Sequence, residues 1–246
     1  MDRMIWTAVT GMNASMARQR MIASNMANSQ TVGFRSEVMA QTPMTLVGPS
    51  LQVRSMSDAA VRGARMEAGP MVPTGRALDV AMQGQALLTV QAPDGSEAYT
   101  RRGDLSVSPT GLLTNGEGFP VIGESGPISV PPGSDVSIGA DGAVLVANPA
   151  APDTPAQQVD RIKLASWSGS RIEKGLDGLF RVVGGGALPA DAEGRLVPAT
   201  LEQSNVRPSE VLVEMVEAQR LFEMRTKLIA TAKELDEGGA SLMRMS

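Results

Sequence analysis

The chain has 246 residues, a formal net charge of -4 and a sequence pI near 5.0, with 42% hydrophobic, 20% charged and only 3% aromatic residues. That balance suits a folded protein, while the acidic excess argues against a nucleic-acid partner, whose phosphates demand clustered Lys and Arg. Cysteine and histidine are both absent. Their absence removes disulfides, thiolate and imidazole metal ligands, a cysteine nucleophile and the commonest general base, so no catalytic, cofactor-binding or metal-binding residue is expected. No run approaches the roughly 20 apolar residues that span a bilayer, and residues 1–20 lack the basic-then-apolar layout of a cleavable signal. Direct membrane insertion is therefore not expected, and export would follow another route.

Residues 2–28 hold no proline and one glycine, Gly11. Ile5, Val9, Met12, Met16, Gln19, Ala23 and Met26 follow one another at alternating steps of four and three, the spacing of a helix that packs on other helices. Asp2 suits the positive end of the helix dipole, and Asn28-Ser29-Gln30 with Gly33 ends the pattern. Residues 35–77, with scattered Pro, Gly and Ser, read as an extended connector, with a hairpin within it as the alternative. From Leu78 the texture becomes β-like. Residues 80–92, 97–101, 105–108, 128–130, 136–138, 144–147, 161–166 and 179–183 read as strands. Pro93-Asp94-Gly95, Pro109-Thr110-Gly111, Asn115-Gly116, Asp141-Gly142 and Asp177-Gly178 supply the turns.

From Pro208 a second helix is predicted, capped by Ser209 and stopped by Gly238-Gly239. Its apolar residues Val211, Leu212, Met215, Val216, Leu221, Phe222, Leu228, Ile229 and Leu235 cover a face broad enough to meet more than one neighbour. All 16 methionines lie in the first 82 or last 32 residues, which suits helices fitting several similar settings. Three signals point to nothing further. Gly184-Gly185-Gly186 lacks the following Lys-Ser/Thr pair of a phosphate cradle; Asp94, Asp141 and Asp177 each precede Gly as turn chemistry requires; and the glycosylation sequon Asn13-Ala14-Ser15 falls inside a helix.

Three motifs carry a family resemblance. The first is Ala23-Ser24-Asn25-Met26-Ala27-Asn28-Ser29-Gln30-Thr31-Val32-Gly33-Phe34-Arg35. The second is Leu78-Asp79-Val80-Ala81-Met82-Gln83-Gly84, continuing to Tyr99-Thr100-Arg101-Arg102-Gly103 and Gly111-Leu112-Leu113-Thr114. The third is Leu201-Glu202-Gln203-Ser204-Asn205-Val206 followed by Met215-Val216-Glu217-Ala218-Gln219-Arg220-Leu221-Phe222-Glu223. In this order, across almost the whole chain, they resemble the axial rod and hook proteins of the bacterial flagellum. One departure stands out: Gln85, Ala86, Leu87 and Leu88 replace the glycine and two aromatics that usually follow the Gly84 position. The opening Met1-Asp2-Arg3-Met4-Ile5, the modest length and the stretch Glu124-Ser125-Gly126-Pro127-Ile128 look most like the proximal rod members, with distal rod members as the alternative.

The resemblance implies an α+β fold in which long N- and C-terminal helices form a coiled-coil layer lining the rod, with a central, mainly antiparallel β domain outside it. The divisions are 1–34 (N-terminal helix), 35–77 (connector), 78–200 (β-rich domain) and 201–246 (C-terminal helix). It implies a non-enzymatic structural subunit of the periplasmic rod, delivered by the flagellar export apparatus. Its partners would be other copies of itself and other rod proteins, with no nucleic acid. The assembly interface is expected to draw on Ile5, Val9, Met12, Met16, Ala23, Asn25, Met26, Asn28, Gly33, Phe34 and Asn205, with Leu212, Met215, Gln219, Arg220, Phe222, Leu228 and Ile229. A secreted adhesin or binding module, and more remotely a carboxylate glycosidase, are the readings from other classes.

Overall fold

A computed structural model describes residues 2–45, 55–131, 133–149 and 155–244, with side chains over 9–39, 63–131, 133–149, 155–231 and 233–234. The side chains of Ile5 and Leu235 lie outside those described, and so do residues 46–54 of the 35–77 stretch. The elements in chain order are α1 (Asp2–Ala27), β1 (Glu37–Thr45), β2 (Ser55–Ala64), β3 (Met71–Pro73), β4 (Val80–Met82), β5 (Ala86–Gln91), β6 (Glu97–Thr100), β7 (Leu105–Val107) and β8 (Leu113–Asn115). They continue with β9 (Asp135–Ile138), β10 (Ala143–Ala147), β11 (Gln157–Arg161), β12 (Leu164–Ser166), β13 (Ile172–Lys174), β14 (Phe180–Val182), β15 (Leu196–Pro198), β16 (Thr200–Glu202) and α2 (Pro208–Arg244). Two compact units result. One holds Met1–Ala27, Glu37–Gly63 and Arg207–Ser246; the other holds Asn28–Ser36 and Ala64–Val206.

In the β-rich unit, a five-stranded sheet runs in the order β12-β5-β6-β14-β13 and a three-stranded sheet in the order β11-β10-β9. The pairs β15-β4, β16-β3 and β7-β8 complete it. Every pairing whose register is described is antiparallel. The sequence reading took residues 80–92 as one strand; Gly84, at φ +56°, divides them into β4 and β5. Strand β5 is buried on both faces, which explains its unbroken apolar run. Because side chains alternate along a strand, Leu88 and Val90 enter the main core with Leu105, Leu113 and Leu179. Leu87 points the other way, into a second cluster with Tyr99, Phe180 and Leu188. The departure from the family pattern is thus absorbed by two leucines serving two cores.

The expected turn chemistry is present in atomic detail. Asp94, Asp141 and Asp177 each accept a hydrogen bond from the backbone N–H two residues on, at Ser96 (2.9 Å), Ala143 (3.2 Å) and Leu179 (3.2 Å). Asn115 Oδ1 likewise accepts from the N–H groups of Glu117 and Phe119. These Asx turns fix hairpin ends with short polar side chains, so a chain poor in aromatics still closes many tight turns.

Two expectations about the helices need correction. Helix α2 begins at Pro208 but continues through Gly238-Gly239 to Arg244. Each glycine costs only about 1 kcal/mol against alanine, and Ala240, Leu242 and Met243 beyond them are good helix formers. The second correction is larger: the chain does not form an α+β fold with long coiled-coil layers. Among the described residues there are two helices and sixteen strands, so the protein is mainly β with a small helical part.

Within their unit α1 and α2 make a single pair, and its described hydrogen bonds come from Arg225, which donates to the Gly11 carbonyl and to Ser15 Oγ. The supposed seam residues Val9, Met16 and Ala23 lie on the exposed side of α1, whereas Ser15, Ile22 and Asn25 are buried. Residues 15 and 22 repeat the same seven-residue step as 9, 16 and 23. Periodicity alone therefore could not say which face is covered.

The two-core arrangement makes Leu87 and Leu88 separately essential. Leu87→Ala and Leu88→Ala should each lower unfolding free energy by about 2–5 kcal/mol, the range for truncating a fully buried leucine. Urea denaturation of the full chain checks this.

Candidate functional site

The three sequence motifs converge on one buried ionic cluster. Glu202, at the end of β16, receives Arg35 Nη2 on Oε1 at 2.7 Å and Arg101 Nη2 on Oε2 at 2.7 Å, with Arg101 Nε at 2.9 Å on that same oxygen. All three side chains are 1–2% exposed. Gly69 N–H donates to Glu202 Oε1 at 2.9 Å, and Gly33 N–H donates to the Glu202 carbonyl at 2.7 Å. Arg101 also donates to the carbonyls of Met82, Gly84 and Ala86, clamping the turn between β4 and β5. Arg35 reaches the Glu67 carbonyl. Burial pulls the Arg35 guanidinium below its ordinary pKa; the Glu202 charge opposes that shift and the Arg101 charge adds to it.

The segment after α1 is fastened at several further points. Gly33 sits at φ +67° against the Arg101 backbone, where a Cβ would collide, so glycine is required twice over. Lys174 Nζ lies 3.4 Å from the Phe34 ring centroid and donates to the Arg35 carbonyl at 3.2 Å. Asn205 Oδ1 accepts the Ser36 N–H at 2.7 Å while its Nδ2 donates to the carbonyls of Arg65 and Glu67. In the other unit, Asn25 exchanges two bonds with the Glu37 backbone, at 2.8 and 3.1 Å. Asn28 accepts from Thr31 through both its carbonyl and its side chain.

The expected interface residues therefore divide into two sets. Asn25, Asn28, Gly33, Phe34 and Asn205 hold segments of this chain to one another. Val9, Met16, Ala23, Leu212, Gln219, Arg220 and Leu228 are exposed on α1 and α2, while Met12, Met26, Met215, Phe222 and Ile229 are half-buried. Ile5 lies on α1 with its side chain outside those described. Sequence reasoning quoted Arg35, Arg101 and Glu202 within the motifs and assigned them no role. The available signal was a charge directly after an apolar residue in Phe34-Arg35 and Leu201-Glu202; Arg101, beside Arg102, carried none.

A cavity of about 400 Å³ is lined by Thr74, Arg76, Asp79, Asp104 and Leu201, among others. Its carboxylates are already engaged: Asp79 accepts from Thr74 Oγ1 and Arg76 Nε, and Asp104 from Arg102 Nε and Nη2. Among the described residues no group of three His, Cys, Asp or Glu side chains is placed to hold a metal, and no helix is long and apolar enough to cross a membrane.

Glu202→Gln should lower stability by about 3–5 kcal/mol, because it leaves two buried guanidinium groups without their counter-charge. Unfolding followed by the fluorescence of Trp167, which packs against the Leu87 cluster, measures it.

The comparisons with known proteins fit this arrangement. The family model for a flagella basal body rod protein matches residues 5–35, the flagellar hook protein FlgE/F/G D1 domain matches 81–146, and the flagellar basal body rod FlgEFG protein C-terminal matches 197–242. The flagellar basal-body rod proteins FlgF of Salmonella typhimurium and Escherichia coli are each 40% identical to the chain over 252 residues, covering all of both sequences. A flagellar basal-body rod protein FlgG of Buchnera aphidicola is 29% identical, covering 94% of this chain and 96% of its own. Full-length identity at this level, with three matched models in order, shows that the chain belongs to the flagellar basal-body rod protein family and is most like its FlgF members.

Proposed function

We propose that the chain is a structural subunit of the proximal part of the rod, joining other copies of itself and other rod proteins through the outward faces of α1 and α2. The observation that carries this reading is the solvent face of α2. Leu212, Val213, Val216, Met224 and Leu228 stand there at 48–69% exposure, against a buried side formed by Val211 and Ala218. Helix α1 adds Val9 and Met16. Single exposed apolar residues need no explanation, but five on one face of one helix mark a surface that another molecule covers.

Covering what is still exposed of each such side chain contributes about half of the 1.5–3 kcal/mol for full burial, whereas association costs about 4–15 kcal/mol in lost freedom. A subunit held this way needs several neighbours at once. A helical polymer supplies them, since its heterologous contacts set one surface of each subunit against a different surface of the next. The 40% identity to FlgF, against 29% to FlgG, supports the proximal position. On this reading the chain reaches the periplasmic rod through the flagellar export apparatus and performs no catalysis.

Helix pairs with few partners are marginal alone in water. Docking therefore adds stability to a pair already formed in the free chain. Amide exchange over residues 5–26 and 211–235 should slow on assembly, with β5 and β6 protected to the same extent in both states. Unchanged exchange of the helices on assembly would contradict their burial in the rod.

Leu228→Glu and Val216→Glu should shift stability by no more than about 0.5 kcal/mol, as exposed substitutions do, while abolishing completed rods and motility. A density map of isolated basal bodies, traced with Trp6 and Trp167 as register marks, tests the position. Density in the lower rod supports the proximal assignment, density in the upper rod alone replaces it with the distal one, and absence from complete rods overturns the reading.

A further inference from the structure

Methionine is confined to the ends of this chain: none falls between Gln83 and Glu214. Among the described side chains only three methionines are exposed, Met16 at 36%, Met71 at 42% and Met224 at 57%. Met16 lies between Val9 and Ala23 on the outward side of α1, and Met224 lies one turn before Leu228 on the outward side of α2. Met71 is different. It belongs to the short strand β3 of the β-rich unit, all three of whose residues are exposed, and so stands on neither helix. Met82, inside the main core, has no exposed surface.

Exposure governs which thioethers oxidise, and oxidation turns an adaptable apolar side chain into a polar one. We propose that Met16 and Met224 are oxidation sites through which a hydroperoxide blocks assembly of this chain without unfolding it; the inference rests on the rod-assembly reading above. The hydroperoxide transfers one oxygen to the methionine sulfur. The S–O bond forms as the O–O bond breaks, sulfur loses two electrons, and the remaining oxygen takes up a proton and leaves as water from hydrogen peroxide or as an alcohol from an organic hydroperoxide.

The sulfoxide then stands in the middle of a face that must be desolvated on docking, where an unpaired polar group opposes contact. The β-rich unit keeps its fold, because Met82 is shielded in the core, Met66 is half-buried against the Leu87 cluster and Met71 stands on an exposed strand. Docking covers Met16 and Met224, so the sensitive state is the unassembled subunit. Methionine sulfoxide reductases, drawing electrons from a thiol, reverse the change.

The test uses cells that carry the chain as their sole copy of this rod subunit, pulsed with hydrogen peroxide while rods form. Basal bodies are then isolated and counted, and sulfoxides are mapped by peptide mass spectrometry. Completed rods should fall about tenfold, the effect of roughly one unpaired polar group in an apolar contact. Sulfoxide at Met16 and Met224 should accumulate in the unassembled pool and be depleted from completed rods. The double variant Met16→Leu/Met224→Leu should keep its rod count through the pulse, whereas Met71→Leu should lose rods as the parent chain does.

Equal sulfoxide at both positions in the assembled and unassembled pools would overturn the inference. That measurement uses the parent chain, so it stands even if the double variant assembles poorly. An equal loss of rods in the double variant and the parent would overturn it as well. A chain missing from rods even without peroxide would instead defeat the rod reading, and this inference with it.

Discussion

Glu202 is the charge on which the rest of the β-rich unit depends. Taking three ionised groups out of water costs several kcal/mol for each ion, and the attraction between them repays this only when geometry and further hydrogen bonds are good. Here both carboxylate oxygens are engaged, and Arg101 spends its remaining donors on three carbonyls of one turn. One carboxylate thereby gathers the segment after α1, the strand β16, the backbone at Gly69 and the turn between β4 and β5. An apolar residue at 202 could fill the volume and keep the backbone bond to Gly33 but could not bring two guanidinium groups and the Gly69 N–H to one place.

That cluster accounts for where the family motifs lie. Gly33 and Arg35 are far along the chain from Arg101 and from Glu202, yet adjacent to them in space. Around them the unit is built economically: Asx turns close its hairpins, and β5 feeds a core on each face. With one tyrosine and four phenylalanines in the chain, aliphatic side chains carry most of the packing. The Tyr99 hydroxyl, accepting the Leu188 N–H at 2.7 Å, ties the smaller core to the following loop.

The helical unit follows a different logic. Its helices are hydrogen-bonded through Arg225, Gly11 and Ser15, and Leu212, Val213, Val216, Met224 and Leu228 of α2 are left facing water. A monomer arranged only for its own stability would turn those residues inward. The family membership gives that exposure a context, since a rod subunit is a part whose neighbours complete it. The same exposure sets its chemical vulnerability, because adaptable methionines on a face awaiting a partner are open to oxidants until the partner arrives.

Much of this was legible in the sequence because it is local. Pro208 at a helix start, Asp before Gly at hairpin ends, the glycine at position 33 and the unbroken apolar run of β5 each depend on a few adjacent residues. Family membership was legible too, from motifs in a set order. The tertiary structure alone decided the rest. The sheet order β12-β5-β6-β14-β13, the meeting of Arg35 and Arg101 at Glu202, and the mainly β character all depend on pairings between distant residues. The choice of covered face on α1 was of the same kind: two sets of residues share one seven-residue step, and only packing distinguishes the side that meets protein from the side that meets water.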